Sequence, residues 1–446
     1  MNPGMVVKLR PTGPWRIGPD SGARNRVDAV YHSDSLYAAV ASAMARMGAL
    51  DEWLDATARS AEPAVCFSSC FPFLDDIGFV VPPRSVWPPT SPALLSARVR
   101  WKSARFVPLG IVQAILAGQA LDENHWAIDG PSECLVPAGK PGPFRTGLRW
   151  NAAIDRLTGV SERHFTACVE FRPGAGLWTI VSFAGEAARD RWIEPVKTAF
   201  RWLADSGFGG ERSRGWGRAE APEFVEGTLP GMILGAEEKR VEAATPDVLP
   251  VPPNPEPAEP SPVPPIETPV EPPPPDPEPE MPPPVPEPEP ATAAPETEPA
   301  AAALDAEPAA AAPEPESAPA PPEPEPSTAA VIAEPPIAPL QAEPAPAPRP
   351  GGSVPHWLLS LFTPAATDSV DWSRGNYAVV TRGGRVDASG ELKKLVQMVA
   401  EGSVVYAAGA PRGSAPDVAP DGFPHPVFRA GFALAIPLAA QEGHPL

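Results

Sequence analysis

The chain predicts an α+β fold in two folded parts, held apart by a long stretch that cannot build a core. Three observations predict it. Residues 1–240 alternate strand-like runs with amphipathic helical stretches. Residues 241–350 hold 21 acidic residues against one basic residue, Arg349, and 40 of the 69 prolines. A compact segment then resumes in the order β, β, α, β, β, which fits one antiparallel sheet with one helix face. The expected divisions are 1–240, 241–353 and 354–446.

The formal charge of −20 looks hostile to nucleic acid, but all of it sits in residues 241–350. The rest of the 446-residue chain holds 34 acidic and 34 basic residues, so its folded parts are free to carry basic patches. Cys66, Cys70, Cys134 and Cys168 have no metal-ligand spacing; Cys66 and Cys70 lie in an apolar run, as buried thiols do. No metal or cofactor is expected. The opening MNPGMVVKLRPTG has no signal-peptide core and no apolar run approaches membrane-spanning length, which predicts a cytoplasmic protein away from membranes.

Taken in order, residues 5–9 alternate as a first strand and 11–18 are an irregular exit containing Trp15 and Arg16. Residues 32–48, HSDSLYAAVASAMARMG, read as a helix. Ser33 or Asp34 is its expected cap, Leu36, Val40, Ala43, Met44 and Met47 its apolar stripe, and Gly48 its stop. A short helix at 50–58 leads to strand-like runs at 64–74 and 78–82, and prolines then break the pattern. Residues 107–117 look helical, and 122–143 carry no assignable pattern. Residues 165–171 and 177–183 alternate like two strands of one hairpin across a Pro-Gly turn. A helix at 187–203 and a strand at 219–225 complete this part. After the break come strands at 356–362 and within 372–387, a helix at 392–400, and strands at 403–407 and 428–437. Residues 243–349 predict extended, polyproline-like chain with transient helix at 300–312, because their few apolar residues cannot offset chain entropy.

Two stretches carry the chemistry. Residues 207–218, GFGGERSRGWGR, contain five glycines and three arginines. Gly209, Gly210 and Gly215 allow close backbone approach, Arg212, Arg214 and Arg218 offer forked donors to phosphate, Ser213 adds a hydroxyl, and Trp216 a face for stacking. The loop lacks the spacing of a nucleotide P-loop or a dinucleotide fold, so an RNA backbone is the better ligand. The competing reading is a Gly-rich hairpin with solvated arginines. The second stretch crowds Arg145, Arg149, Asn151, Asp155, Arg156 and Arg163 around a turn at 157–159, as a hairpin or loop displaying polar groups.

HSDSLYAAV, NAAIDRLTG and GFGGERSRGWGR together resemble the RAMP superfamily of CRISPR proteins. VDWSRGNYAVVTRGGRV, MVAEGSVV and DGFPHPVFRAGFALAIP resemble the closing domain of the fourth Csm subunit of type III-A complexes. That resemblance covers roughly 1–240 and 355–440; the long acidic, proline-rich insertion departs from it. It implies two ferredoxin-like (RRM-type) domains flanking a disordered Pro/Glu/Ala-rich insertion. It implies binding to the 5′ handle of CRISPR RNA, and contact with the large polymerase/cyclase-type subunit, with a backbone RAMP subunit and, indirectly, with target RNA. It places a guide-kinking, thumb-like hairpin at about 145–166. Carried onto this chain, the RNA-binding set gains His32, Ser33, Arg374, Asn376 and Arg382. A sister RAMP group cleaves precursor RNA with a histidine near a Gly-rich loop. Here His32 or His164 would serve, yet His32 precedes a helix cap where local hydrogen bonding is expected, and no acid–base set is evident, so a non-catalytic subunit is the reading.

Overall fold

The computed structural model describes residues 2–18, 23–89, 100–235, 352–386 and 389–439. The expected extended insertion and its transient helix lie outside them. The chain opens with β1 (Asn2–Leu9), α1 (Ser33–Arg46), α2 (Leu50–Ala56), β2 (Val65–Phe67), β3 (Phe71–Leu74) and β4 (Ile77–Val80). Next come β5 (Val107–Pro108), α3 (Leu109–Leu116), β6 (Trp126–Asp129), β7 (Cys134–Pro137), β8 (Phe144–Ile154), β9 (Ser161–Phe171) and β10 (Ala175–Phe183). Then follow α4 (Glu186–Ser206), β11 (Glu223–Leu229) and α5 (Gly231–Leu234).

The main sheet runs β11-β1-β10-β3-β4-β5, with β2 also on β10, and its pairs are antiparallel. β1 and β2 both run antiparallel to β10 and so parallel to each other, joined through α1. Met5, Val7 and Leu9 alternate into the core, as a half-buried strand requires. α1 and α4 pack on each other and against β1, β2 and β10. α1 buries Leu36, Val40, Ala43 and Met44, but Met47, at the C-cap just past the last helical residue, is 40 % exposed, and Gly48 at φ 74° then turns the chain. The side chain of neither Ser33 nor Asp34 caps α1: the cap position is His32, without a side-chain cap bond.

Several expectations are corrected. The run 64–74 breaks into β2 and β3 at the buried Ser68 and Ser69: the Ser69 amide leaves the sheet to donate to the Leu359 carbonyl at 2.9 Å, and the two hydroxyls bind Thr179 and Glu401. Residues 122–143 contain the β6–β7 hairpin. β9 pairs with β8 along its whole length, from Phe144↔Phe171 to Ile154↔Ser161, whereas β10 enters the main sheet. The Pro-Gly turn therefore joins two sheets rather than one hairpin.

The C-terminal part comprises β12 (Val354–Leu358), β13 (Val370–Asn376), β14 (Val379–Arg382), β15 (Val396–Val399), β16 (Val404–Ala407), β17 (Gly413–Ser414), β18 (Gly431–Phe432) and β19 (Ala435–Pro437). Four of these form the sheet β13-β16-β12-β19; β14 pairs β15 and β17 pairs β18. The helix expected at 392–400 does not form, and no helix occurs among the described residues after 352. Val396–Val399 instead pairs with Val379–Arg382, and Val399 bonds back to Phe362, so sheet packing overrides local helix propensity. The predicted helix face in this part is thus absent.

Both ends of the chain belong to one compact unit. One hydrophobic core runs from Met5 and Trp53 to Trp357, Phe432 and Ile436. Tyr37 meets Phe432 edge-on at 5.6 Å, the Trp357 indole donates to the Val81 carbonyl at 3.1 Å, and Leu361 N donates to Ser33 Oγ at 3.0 Å. Through this seam passes a buried charge cluster. Arg382 donates to both Asp34 oxygens at 3.1 and 3.0 Å, and Arg429 donates to Asp34 and to the Gly383 carbonyl. Burial alone would raise the Asp34 carboxyl, but Arg382, Arg429 and His32 hold it down at about 2.

Beside it, His32 donates from Nδ1 to Glu401 at 2.7 Å and from Nε2 to Asp28 at 3.2 Å, and Ser69 donates to Glu401. Arg105 completes the cluster on Asp28 at 3.1 Å. Burial would lower the imidazole's pKa, but Glu401 and Asp28 overcome that and raise it to about 9, so both ring nitrogens carry protons at neutral pH. Asp34→Ala strands two buried guanidiniums and should lower the free energy of unfolding by about 3–5 kcal/mol in denaturant titration. His32 has a raised folded pKa, so its stabilisation is complete below pH 6.5 and drains away as pH rises towards 9. Stability measured across that window should fall in the unaltered chain, and His32→Gln should flatten the slope.

Candidate nucleic-acid interface

The glycine loop starts where α4 ends, with Gly207 N donating to Leu203 O at 2.8 Å. It closes on itself and on the first strand's exit. Phe208 N donates to Gly217 O at 2.9 Å, Gly217 N to Pro14 O at 3.0 Å, and Gly210 N to Arg16 O at 2.9 Å. A short 3-10 turn, Arg212–Arg214, is held by Arg214 N and Gly215 N donating to Glu211 O and Arg212 O, both at 2.9 Å. These amides are spent inside the chain and so do not form an open anion-binding nest. The glycines serve close approach: a Cβ on Gly217, at φ 79°, would overlap the Phe208 carbonyl, and one on Gly209 would overlap that of Arg16.

What the loop offers to solvent is its side chains. Ser213, Arg214 and Arg218 are exposed, while Arg212, Gly209, Gly210 and Gly215 are half-buried. Arg214 pairs with Glu211 at 3.0 Å. Trp216 corrects the sequence reading. It is only 9 % exposed and packs inward, so its face is closed to a stacking base.

The hairpin β8–β9 is the second element. Its period-two alternation separates an apolar face from a polar one. Trp150 (69 % exposed), Leu148 and Ile154 share a face with Phe165, and Trp150 meets Phe165 edge-on at 5.4 Å. The other face carries Arg145, Arg149, Asn151, His164 and Thr166. Arg145 and Arg149 both pair with Glu170, at 3.0 and 2.6 Å, and Asn151 donates to Thr166 Oγ1 at 3.4 Å. Arg156 and Arg163 are exposed near the tip. Asp155 makes the tip turn: its carboxylate accepts from Leu157 N at 2.9 Å and from the Thr158 hydroxyl at 2.7 Å, and the Leu157 amide bond holds its pKa below the usual range.

The structure therefore brings loop and hairpin root together through the Trp15–Arg16 segment, which bonds Val169 of β9 on one side and Gly210 on the other. It does not bring the remaining predicted residues there. His32, Ser33 and Arg382 are buried in the seam with partners inside the chain. Arg374 is exposed on β13, donating to Ser353 Oγ at 2.7 Å with its guanidinium 4.2 Å from the Tyr406 ring. Asn376 donates to the Arg84 carbonyl at 3.0 Å. The sequence reading missed Asp28, Glu401 and Arg429 as seam residues, although Glu401 and Arg429 lie inside the C-terminal blocks singled out for their resemblance. Among the described residues, no His/Cys/Asp/Glu group is arranged to hold a metal, and no helix is long and apolar enough to cross a membrane.

Residues 353–438 match the family model for the CRISPR Csm4 C-terminal domain. That segment is Csm4-like. No curated protein matches the sequence. Among solved structures, the Csm3-Csm4 subcomplex of the type III-A CRISPR-Cas interference complex has a similar chain. It is 11% identical, over 97% of this chain and 99% of that one, with a TM-score of 0.50, which is a likeness of fold. A chain of the Csm1-Csm4 cassette in complex with pppApA is 15% identical, over 99% of this chain and 100% of that one, at a TM-score of 0.45.

The loop geometry generates its own prediction. Gly215 also has a left-handed φ, 78°, but opens on empty space. Gly215→Ala should cost about 1–2 kcal/mol of stability, the ordinary left-handed penalty. Gly217→Ala adds a backbone clash and should cost at least about 3 kcal/mol. Equal losses in denaturant titration would show that the glycines serve only backbone dihedrals.

Proposed function

We propose that this chain is a non-catalytic, RNA-binding subunit of a type III-A CRISPR interference complex. In this reading it holds the 5′ handle of the CRISPR RNA and docks the large polymerase/cyclase-type subunit and a backbone RAMP subunit, meeting target RNA only indirectly, in the cytoplasm. The observation that carries it is the arginine-bearing hairpin rooted beside the Gly-rich loop, in a chain whose C-terminal part matches a Csm4 domain. A similar solved chain, from the Csm3-Csm4 subcomplex of a type III-A complex, supports the choice of a backbone RAMP subunit as partner.

RNA contacts are assigned to Arg145, Asn151, Arg156, Arg212, Ser213, Arg214 and Arg218, shaped by Gly209, Gly210 and Gly215, with Arg374 and Asn376 as a second strip. His32, Ser33 and Arg382 act in this account by fixing the seam, Trp216 by packing the loop, and Asp155 by turning the hairpin. The strand order of residues 2–229, with β1 and β2 flanking β10 and β11 on the outer side of β1, supports a ferredoxin-like domain for the 1–240 part. The 354–446 part, which has no helix among its described residues, does not extend that label. The insertion 241–353 is assigned to a tether on its composition.

The endoribonuclease alternative needs a histidine able to exchange a proton with a ribose 2′-hydroxyl. His32 is buried between Glu401 and Asp28, and His164 is half-buried on the hairpin opposite Asn151. Neither stands with a complementary acid or base in an open cleft.

Binding of CRISPR RNA, followed by fluorescence anisotropy over a salt series, tests the proposal. Replacing Arg212, Arg214 and Arg218 together by Ala should weaken binding, and each lost phosphate contact should flatten the salt dependence by about 0.7. The unaltered chain should bind precursor RNA without cutting it. An unchanged affinity and slope in the folded triple variant would remove the loop from the RNA surface, and cleavage lost in His164→Ala would favour the nuclease.

A further inference from the structure

We propose that Arg16 is a positioning residue that locks the root of the β8–β9 hairpin to the Gly-rich loop, so that both elements present their arginines to one RNA strand. The inference rests on the RNA-binding reading above and adds a residue that touches no RNA.

Arg16 is only 8 % exposed although it lies in an irregular segment. Its guanidinium is spread over three backbone carbonyls from two separate stretches. Nη1 donates to Ala167 O of β9 at 3.0 Å and to Arg24 O at 3.2 Å, and Nη2 donates to Ala23 O at 3.0 Å. Ala167 N in turn donates to Arg24 O at 2.8 Å. The backbone of the same residue accepts from Gly210 N at 2.9 Å, and its neighbour Trp15 exchanges both bonds with Val169, at 3.0 and 2.8 Å. Gly209 and Gly210 face Arg16 so closely that a Cβ on Gly209 would overlap its carbonyl. One residue therefore ties the glycine loop by its backbone and the hairpin root by its side chain.

A planar fork is what this geometry needs. Arginine presents several donors in one rigid plane, whereas an ammonium on a flexible stem cannot reach three carbonyls on two stretches at once. The hairpin is otherwise a two-stranded ribbon, an element marginal by itself, and its tip lies eleven residues along each strand from its root. A small change of angle at Ala167 is magnified at Arg156 and Arg163. The guanidinium, already engaged with carbonyls, contributes little as a phosphate ligand.

The test is a double-mutant cycle on the full chain, read by anisotropy with CRISPR RNA over a salt series, and by hydrogen exchange without RNA. Arg16→Lys should weaken binding about tenfold with the salt slope unchanged, and should speed exchange in peptides covering 23–28 and 166–170. In a chain whose residues 150–165 are replaced by an Asn-Gly turn, joining the cross-strand neighbours Arg149 and Thr166, the same substitution should have no further effect on affinity. Arg16→Gln, which keeps an amide donor, serves if the lysine variant does not fold. The inference is overturned if Arg16→Lys leaves affinity unchanged, or if the salt slope drops by about 0.7 as for a direct phosphate contact. It is equally overturned if the loss persists after the hairpin is shortened, or if protection falls throughout the molecule. Absence of RNA binding by the unaltered chain would overturn the RNA reading instead, and the exchange measurement would still decide whether Arg16 fixes the hairpin root.

Discussion

The buried carboxylate of Asp34, shared by Arg382 and Arg429, is the interaction on which the rest of the structure depends. Asp34 stands in the first turn of the first helix, and both guanidiniums come from the far end of the chain. Burying three charges is tolerable only when each is paired, so the cluster has one arrangement that satisfies it and many that leave an ion stranded. Its companion, His32 between Glu401 and Asp28, repeats the device a few residues away. Apolar packing supplies the bulk of the attraction across the seam, through Tyr37, Trp357 and Phe432. The charges make that packing specific, since a slipped register would still bury apolar surface but would leave Asp34 without its partners.

Fixing the first helix in this way also fixes what hangs from it. Tyr31, just before the helix, touches both Trp15 and Phe208, at 6.4 and 6.1 Å between ring centres, and Trp15 stacks on Phe208 at 5.1 Å. Phe208 lies within the glycine loop, and Trp15 is bonded to the hairpin strand β9. A chain of contacts thus runs from the charged seam to the two elements that carry surface arginines. The surface proposed to bind RNA consists of side chains displayed by an internally bonded frame, and the backbone amides of the loop are largely occupied in holding that frame together.

Much of this was legible in the sequence, for identifiable reasons. Leu36, Val40, Ala43 and Met44 stand at helical spacing, and Met5, Val7 and Leu9 at strand spacing, and each pattern was decisive because one face alone is buried. The hairpin tip could be placed because Asp155, Thr158 and Gly159 form a turn that depends on nothing distant. The misreadings come from residues whose partners are far away in sequence. Val396–Val399 carries no local signal stronger than the helix-favouring Leu and Lys before it; its strand is set by Val379–Arg382 and Phe362. Ser33 and Asp34 look like helix caps because local chemistry permits it, yet Leu361, Arg382 and Arg429 claim them. His32, Ser33 and Arg382 fall within blocks that mark the family resemblance, and the resemblance alone makes them RNA ligands. Their place in the seam shows that a family signature can record how the chain holds itself together as well as what it binds.

The central claim is that the two ends of this chain, separated by more than a hundred intervening residues, form one folded body. Cutting tests it most directly. A site for a specific protease placed within residues 241–350 would be cleaved in the purified protein, and the products passed over a sizing column and unfolded by heat. The account predicts that both fragments elute together at the position of the uncut chain and melt in a single cooperative transition. Fragments that separate under native conditions, each folded and melting independently, would contradict it.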